Sequence, residues 1–495
     1  MAEPKIPHFD VIIVGGGLSG VDAAYHVQTY CPGKSYVVLE AREAIGGTWD
    51  LFRYPGIRSD SDMYTFGYSF RPWHANAAIA DGASIRSYIR DTARTFGIDR
   101  KIYFGHRVKR AVWSSAEAIW TVEAERGSEG EPVSFTCNFF FGCTGYYDYA
   151  EGYTPAFVGA ETFRGEFVHP QHWPENLDYG GKRVVVIGSG ATAVTIVPAI
   201  AERAAHVVML QRSPTYVISR PSQDALAKLL RRYLPMRAAY ALARWYNVLF
   251  GLYFYNLSRR KPLAVKNWII KQAQSQLGAD YDVKTHFMPR YNPWDQRLCL
   301  APDADFFRAI KSGKAEIVTG EIDAFTESGL RLQSGREIAA DIVVTATGLK
   351  LKLLGGISVA VDGKPVDFAQ TMNFKGVMFS DVPNLAAVIG YTNASWTLKC
   401  DLTCAYVARL IKYMDRHGYV ACTPRLHDPS VLPEPLINFS SGYIQRAIDQ
   451  FPRQGSKKPW RLHQNYVRDL FSLRFCAVSD KAIEFTRRAD VKTAA

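Results

Sequence analysis

The chain has 495 residues, 47% of them hydrophobic and 21% charged, with a net charge of +12. That length exceeds one ordinary core, predicts roughly two to four domains of a globular enzyme, and excludes a disordered chain. Eight cysteines, none in a C-x-x-C pair, predict reduced thiols in a cytoplasmic setting and argue against a redox disulfide or thiolate zinc site, so no metal is expected.

The charge is unevenly placed: Arg220 to Lys271 holds eleven Lys or Arg against one acid, Asp224, leaving +2 for the rest. Such a segment suits a nucleic acid, an anionic lipid surface, a phosphorylated cofactor or a solvated helical face. No nucleic-acid motif accompanies it, so no nucleic-acid partner is expected. Met1 to His8 has neither a basic leader nor an apolar core, and no export signal is read there.

In chain order, Val11–Val14 reads as a strand, Gly15-Gly16-Gly17-Leu18-Ser19-Gly20 as a G-x-G-x-x-G turn, and Val21–Val27 as a helix. Gly15, Gly17 and Gly20 permit a tight turn, close approach to a pyrophosphate and close helix packing, with the helix N-terminus facing phosphate. A second strand, Tyr36–Leu39, delivers Glu40 where a carboxylate accepts ribose hydroxyls, so a bound dinucleotide is predicted. Gly46-Gly47-Thr48-Trp49-Asp50-Leu51 and Tyr54-Pro55-Gly56-Ile57-Arg58-Ser59-Asp60 follow. Phe141–Gly145 looks like a strand end.

Phe163 to Pro174, with Gly165, His169 and Trp173, makes poor helix and poor strand; an ordered connector packed by its rings is predicted. Beyond it, Arg183–Ile187 runs into Gly188-Ser189-Gly190-Ala191-Thr192-Ala193 and an apolar helix, a second dinucleotide turn of G-x-G-x-x-A form. The next strand, Val207–Leu210, ends in Gln211-Arg212-Ser213 where the first site ended in Glu40. Arg212 can bond a 2′-phosphate and Ser213 can add a hydroxyl, which predicts NADPH over NADH. Disulfide reductases share a two-nucleotide plan but need a paired cysteine, leaving dioxygen as the natural electron acceptor.

Ala225 to Gln276 has few breakers apart from Pro235, Gly251 and Pro262 and reads as a helical insertion. Its uncharged stretch Trp245–Ser258 is too short for a bilayer, which needs about 20 residues, and is expected to lie buried against the domain, with a peripheral membrane contact as the other reading. At Tyr291–Leu300 turn residues give way to an apolar run holding Arg297, for which a paired cation is expected. Val343–Gly348 reads as a further strand end.

These motifs resemble type I Baeyer-Villiger monooxygenases. Phe163 to Pro174 fits their fingerprint F-x-G-x-x-x-H-x-x-x-W-P, and Gly46 to Asp60 fits G-G-x-W-x-x-x-x-Y-P-G-x-x-x-D. Flavin-containing and N-hydroxylating relatives usually carry another aromatic at Trp173 and lack Pro174. The block around Arg297 is similar to the family's catalytic-arginine segment, most closely in its mycobacterial ethionamide-activating branch.

The resemblance implies an α/β protein with two Rossmann-like dinucleotide-binding domains, for FAD and NADPH, and a helical insertion in the latter. Residues 1–160 and 346–495 would form the FAD domain, 161–174 the linker, and 175–345 the NADPH domain with its insertion at about 222–290. It implies NADPH reducing FAD, a flavin C4a-peroxide, ketones converted to esters or lactones, and oxidation of thioethers or thioamides. Arg297 would stabilise the anionic peroxide with Asp60 as counter-ion, while His169 and Trp173 would serve as a hinge. Many relatives place a lysine where Gln296 stands, which weakens the expected NADPH selectivity. Two rivals stay open: an N- or S-hydroxylating flavin monooxygenase, and a flavin-binding sensor docked on membranes.

Overall fold

The computed structural model describes residues 6–437 and 439–491; residues 1–5, on which most of the export-signal reading falls, lie outside it. The fold is α/β, built on two Rossmann-type parallel sheets. In the first, β1 (His8–Val14) leads through the glycine turn into α1 (Leu18–Tyr30) and back to β2 (Tyr36–Leu39). Short helices α2 (Thr48–Leu51) and α3 (Met63–Phe66) and a longer α4 (Gly82–Thr95) precede β3 (Ile102–Tyr103). Next come β4 (His106–Ser114), β5 (Ile119–Arg126) and β6 (Glu131–Gly142).

β3, β2, β1 and β6 lie parallel in that order, and Ile12 pairs with both Val37 and Phe140. The unbroken apolar runs Val11–Val14, Tyr36–Leu39 and Phe139–Phe141 follow from burial on both faces. β4 and β5 return antiparallel onto β6, while the late strand Leu385–Ala387 pairs parallel with β6.

The second sheet follows β7 (Tyr147–Gly152) and begins with β8 (Glu166–Val168). β9 (Arg183–Ile187), α5 (Ala191–Ile200) and β10 (His206–Gln211) form its glycine-turn unit, and β11 (Val217–Arg220) leads into the insertion. The insertion is α6 (Ala225–Tyr233), α7 (Met236–Arg260), α8 (Pro262–Leu277) and α9 (Val283–Phe287). The chain returns through β12 (Cys299–Pro302), α10 (Asp305–Lys311), β13 (Ala315–Thr319) and the strand Ile342–Thr345. β13, β10, β9, Ile342–Thr345 and β8 lie side by side, all parallel. Pro235 caps α7 and Pro262 opens α8, where a missing N–H costs nothing; Gly251 passes inside α7 without breaking it.

The structure alters two expectations about these elements. The connector was expected to be neither helix nor strand, yet Glu166–Val168 is an edge strand, because Ile342–Val344 offers it an unpaired parallel neighbour. The stretch Trp245–Ser258 was expected to lie buried, yet α7 buries only Ala239, Tyr240, Ala243, Arg244, Asn247, Val248 and Ser258, and exposes Trp245, Leu249 and Tyr253 on its other side. A helix apolar on nearly every side cannot bury more than the face its neighbours cover. Among the described residues no helix is long and apolar enough to cross a membrane.

The crossings between the sheets run together. β7 leaves the first sheet, Leu349–Leu351 returns to it, and the two pair antiparallel, Leu349 opposite Gly152 and Leu351 opposite Tyr147. A long helix, α11 (Trp396–His417), then packs along α1 and covers the first sheet.

Candidate functional site

A cavity of about 830 Å³ separates the two glycine turns. Gly17, Leu18 and Ser19 line one side, and Gly188, Ser189, Gly190, Ala191 and Thr192 the other. Two residues show why glycine is needed. Gly15 has φ +108°, and a Cβ there would meet the Cys143 carbonyl oxygen at 2.5 Å; Gly188 has φ +133° and is pressed likewise against the Ala346 carbonyl. Gly20 packs tightly onto the carbonyl of Gly15, and Ala193 is fully buried in the apolar core that α5 forms against the second sheet, the second core of the chain.

The N-termini of α1 and α5 begin at Gly17 and Gly190 without a side-chain cap and without an acid in the first turn. Their unpaired N–H groups and positive dipole ends open onto this cavity and fit the pyrophosphates of two dinucleotides.

The remaining predicted residues divide into those on the cavity and those behind it. Thr48, Trp49, Arg58, Ser59, Asp60, Arg212, Ser213 and Arg297 line it. Glu40 does not: its buried carboxylate accepts hydrogen bonds from the N–H groups of Gly16 and Arg42, and burial pushes its pKa up although those bonds pull the other way. Asp50 is buried as an ion hub, 2.7 Å from Arg42 and 3.0 Å from both Arg53 and Arg90. Leu51 is buried beside it. Gln211 is buried too, donating from Nε2 to the His286 carbonyl and the Thr319 hydroxyl, both at 2.9 Å. Arg58 pairs with Asp305, and the Ser59 hydroxyl donates to the Ser61 carbonyl at 2.8 Å.

Arg297 lies at the meeting point of the cleft and two neighbouring cavities. Its Nε is 3.5 Å from Asp60 Oδ2, and the side chain remains 40% exposed toward the cavity. Enclosure raises the pKa of the Asp60 carboxyl, with Arg297 and Arg58 opposing the rise; for the Arg297 guanidinium, desolvation pulls the pKa down, but Asp60 together with Tyr146, Tyr443 and Tyr147 outweighs it and keeps the charge fixed. A cation that does not titrate thus faces open volume with its counter-ion held beside it in the same lining.

The fingerprint residues lie outside the cavity lining. Phe163 is buried and meets Phe167 edge-on, ring centroids 5.2 Å apart; a Cβ on Gly165 would run into the Asp341 carbonyl and the Phe163 ring. His169 covers Gly152 so closely that only glycine fits beneath its ring, which seats it on the ribbon of crossing strands. Burial lowers its pKa, and its Nδ1 accepts the Gln171 N–H at 3.2 Å. Trp173 is buried in the second core beside Tyr179, and the Pro174 carbonyl accepts the Leu177 N–H.

Two aromatic neighbours of Arg297 belong to none of the motifs read from the sequence. Tyr146 and Tyr443 line the cleft with it, and Tyr146 stacks on Trp396 at 4.9 Å. Tyr146 follows the strand end at Gly142–Gly145 and could have been found from that position; Tyr443 lies in a stretch without a motif. Arg446, another lining residue, sits 3.5 Å over the Tyr153 ring.

Two glycine turns facing one another across a cleft, with a fixed cation at its end, define a two-nucleotide oxidoreductase. The chain belongs to the flavin-binding monooxygenase-like family, whose model matches residues 10–353, and is a flavin-dependent monooxygenase. It is 53% identical over 482 residues to the FAD-containing monooxygenase EthA of Mycobacterium tuberculosis, covering 97% of this chain and 98% of that one. The fold is similar to an oxidised steroid monooxygenase bound to NADP (TM-score 0.75, 22% identity, 97% of this chain and 100% of the other). It is also similar to OTEMO in complex with FAD and NADP (TM-score 0.71, 21% identity, 85% and 87%).

Proposed function

We propose that this flavin-dependent monooxygenase is of the Baeyer-Villiger type, binding FAD at the first glycine turn and NADPH at the second and converting ketones to esters or lactones. FAD, reduced by NADPH, supplies the activation of O2. One oxygen atom enters the carbon–carbon bond beside the carbonyl, the other leaves as water, and NADPH provides the two electrons. Thioethers and thioamides are further substrates, oxidised at sulfur.

The observation that carries this reading is the Arg297–Asp60 pair at the junction of the cavities. Addition of an oxygen nucleophile to a ketone places negative charge on oxygen, and a pre-oriented guanidinium stabilises that charge more than it stabilises the neutral ketone. Asp60 fixes the guanidinium's direction. An amine or sulfide attacking a neutral oxygen donor develops no such anion on the substrate and has no need of Arg297.

The remaining roles follow from position. Gly15–Gly20, Thr48, Trp49 and Ser59 hold FAD; Gly188–Thr192, Arg212 and Ser213 hold NADPH, with Arg212 on the 2′-phosphate. Arg58 borders the same cleft, paired with Asp305, and Glu40, Asp50, Leu51, Ala193 and Gln211 support these walls from behind. Residues 1–160 and 346–495 form the FAD unit, 175–345 the NADPH unit and 161–174 the hinge, where His169 on Gly152 times the motion between them.

Incubation with NADPH, 18O2 and a panel of linear and cyclic ketones, followed by mass spectrometry, tests the reading. Esters carrying one labelled oxygen are expected. Labelled product from a simple amine, with none from any ketone, would contradict it.

A further inference from the structure

Along α7, Leu242, Trp245, Tyr246, Leu249 and Tyr253 recur at helical spacing and form one exposed stripe, Tyr253 reaching 63% exposure. The opposite face is fixed to α3 and its C-cap: the buried Arg244 donates from Nη1 to the carbonyls of Tyr64 at 2.8 Å and Gly67 at 2.7 Å. The stripe therefore cannot turn inward. On α8, Leu263 and Trp268 add exposed apolar surface.

Cations flank the stripe at both ends. Arg232 and Arg237 stand exposed before it, and Arg260 and Lys261 after it, none with an ion-pair partner among the described residues. The only acid between Arg220 and Lys271 is Asp224, whose carboxylate is spent on the N-cap of α6 and on Asn247. An apolar stripe with Trp and Tyr, bordered by unpaired cations, has the form of a helix lying in a lipid interface.

We propose that α7 and α8 dock this protein on an anionic phospholipid bilayer, the stripe seated among the acyl chains and the cations among the headgroups. A second copy of the chain is the poorer occupant, since it would set cations against cations. The position also has a consequence for entry. A second cavity of about 610 Å³ is lined by the exposed Phe250 and Trp268 of these helices and also by Asp60 and Arg297, so it runs from the docking face to the candidate catalytic pair.

The test is flotation of the full-length, FAD-loaded chain with phosphatidylcholine vesicles, with and without phosphatidylglycerol, and it stands whatever the substrate is. Binding at least about tenfold stronger to the anionic vesicles is expected, weakened by salt. The double variant Leu249→Glu/Tyr253→Glu should lose it, as should Arg260→Glu/Lys261→Glu, with flavin content and thermal unfolding as controls for folding. Neither pair lines the cleft or either of its two neighbouring cavities. No vesicle binding, equal binding to both vesicle types, or unchanged binding by both variants overturns the proposal. So does a concentration-dependent dimer in sedimentation that Leu249→Glu/Tyr253→Glu dissolves, since the face then belongs to a second copy.

Discussion

The turn at Gly15–Gly20 and the turn at Gly188–Ala193 bend alike, but the charged residues just past the strands that follow them stand in opposite surroundings. After the first, Glu40 is buried and its carboxylate is spent on the backbone N–H groups of Gly16 and Arg42. After the second, Arg212 is exposed on the cavity and has no ion-pair partner among the described residues. In register, Gln211 is the counterpart of Glu40 and is likewise buried and hydrogen-bonded; the free charge of the second turn stands one residue further on, at Arg212. Glu40 braces the loop that approaches a cofactor, and Arg212 keeps its charge available for a ligand.

That contrast can be broken first at the glycines. Gly15→Ala places a Cβ against the Cys143 carbonyl at a φ that alanine rarely adopts, and should cost about 2–4 kcal/mol together with most of the bound flavin. Thermal unfolding and the flavin-to-protein absorbance ratio measure both; a fully flavinated variant of unchanged stability would remove the tight approach from the account.

A smaller effect sharpens the second turn. Arg212→Ala should raise KM for NADPH by about tenfold to a hundredfold, the worth of charge-assisted hydrogen bonds of roughly 1.5–3 kcal/mol, while leaving KM for NADH nearly unchanged. Equal losses with both cofactors would assign Arg212 to the fold instead. Gln296 lines the same cavity without a charge, so under the proposed function the selectivity would rest on Arg212 and Ser213.

The smallest effect is expected at Glu40→Gln, about 1 kcal/mol of stability, because an amide oxygen still accepts one of the two backbone bonds. Its pH dependence is the sharper readout. Burial raises the pKa of Glu40 in the folded state, so the folded chain holds that proton more tightly than the unfolded chain does. Its contribution to stability is therefore present at acid pH and is lost as pH rises from the ordinary carboxylate value through the raised one. Denaturant unfolding across that range should show a shallower decline for the variant; identical slopes would mean that Glu40 does not titrate there.

Much of this architecture was legible in the sequence, because β-branched runs ending in glycine leave few other folds. Arg183–Ile187 reads as a strand with the same ends that it has in the structure, and both glycine turns stand where their spacing puts them. What escaped depends on tertiary neighbours. Glu166–Val168 becomes a strand only because a partner edge is waiting, and one face of α7 stays exposed because nothing packs over it. Within the site, the motif around Gly46 to Asp60 could not separate the lining residues Thr48 and Trp49 from Asp50, which four arginines surround below them. Tyr443 reaches Arg297 from about 150 residues further along the chain, a distance no local pattern encodes.

The account depends on Arg297 acting on oxygen chemistry and not on the delivery of electrons. Stopped-flow reduction of the Arg297→Ala variant by NADPH, followed by mixing with O2 and a ketone, separates the two. Flavin reduction within a fewfold of the native rate with no detectable ester is the predicted result; undiminished ester formation from the variant would contradict it.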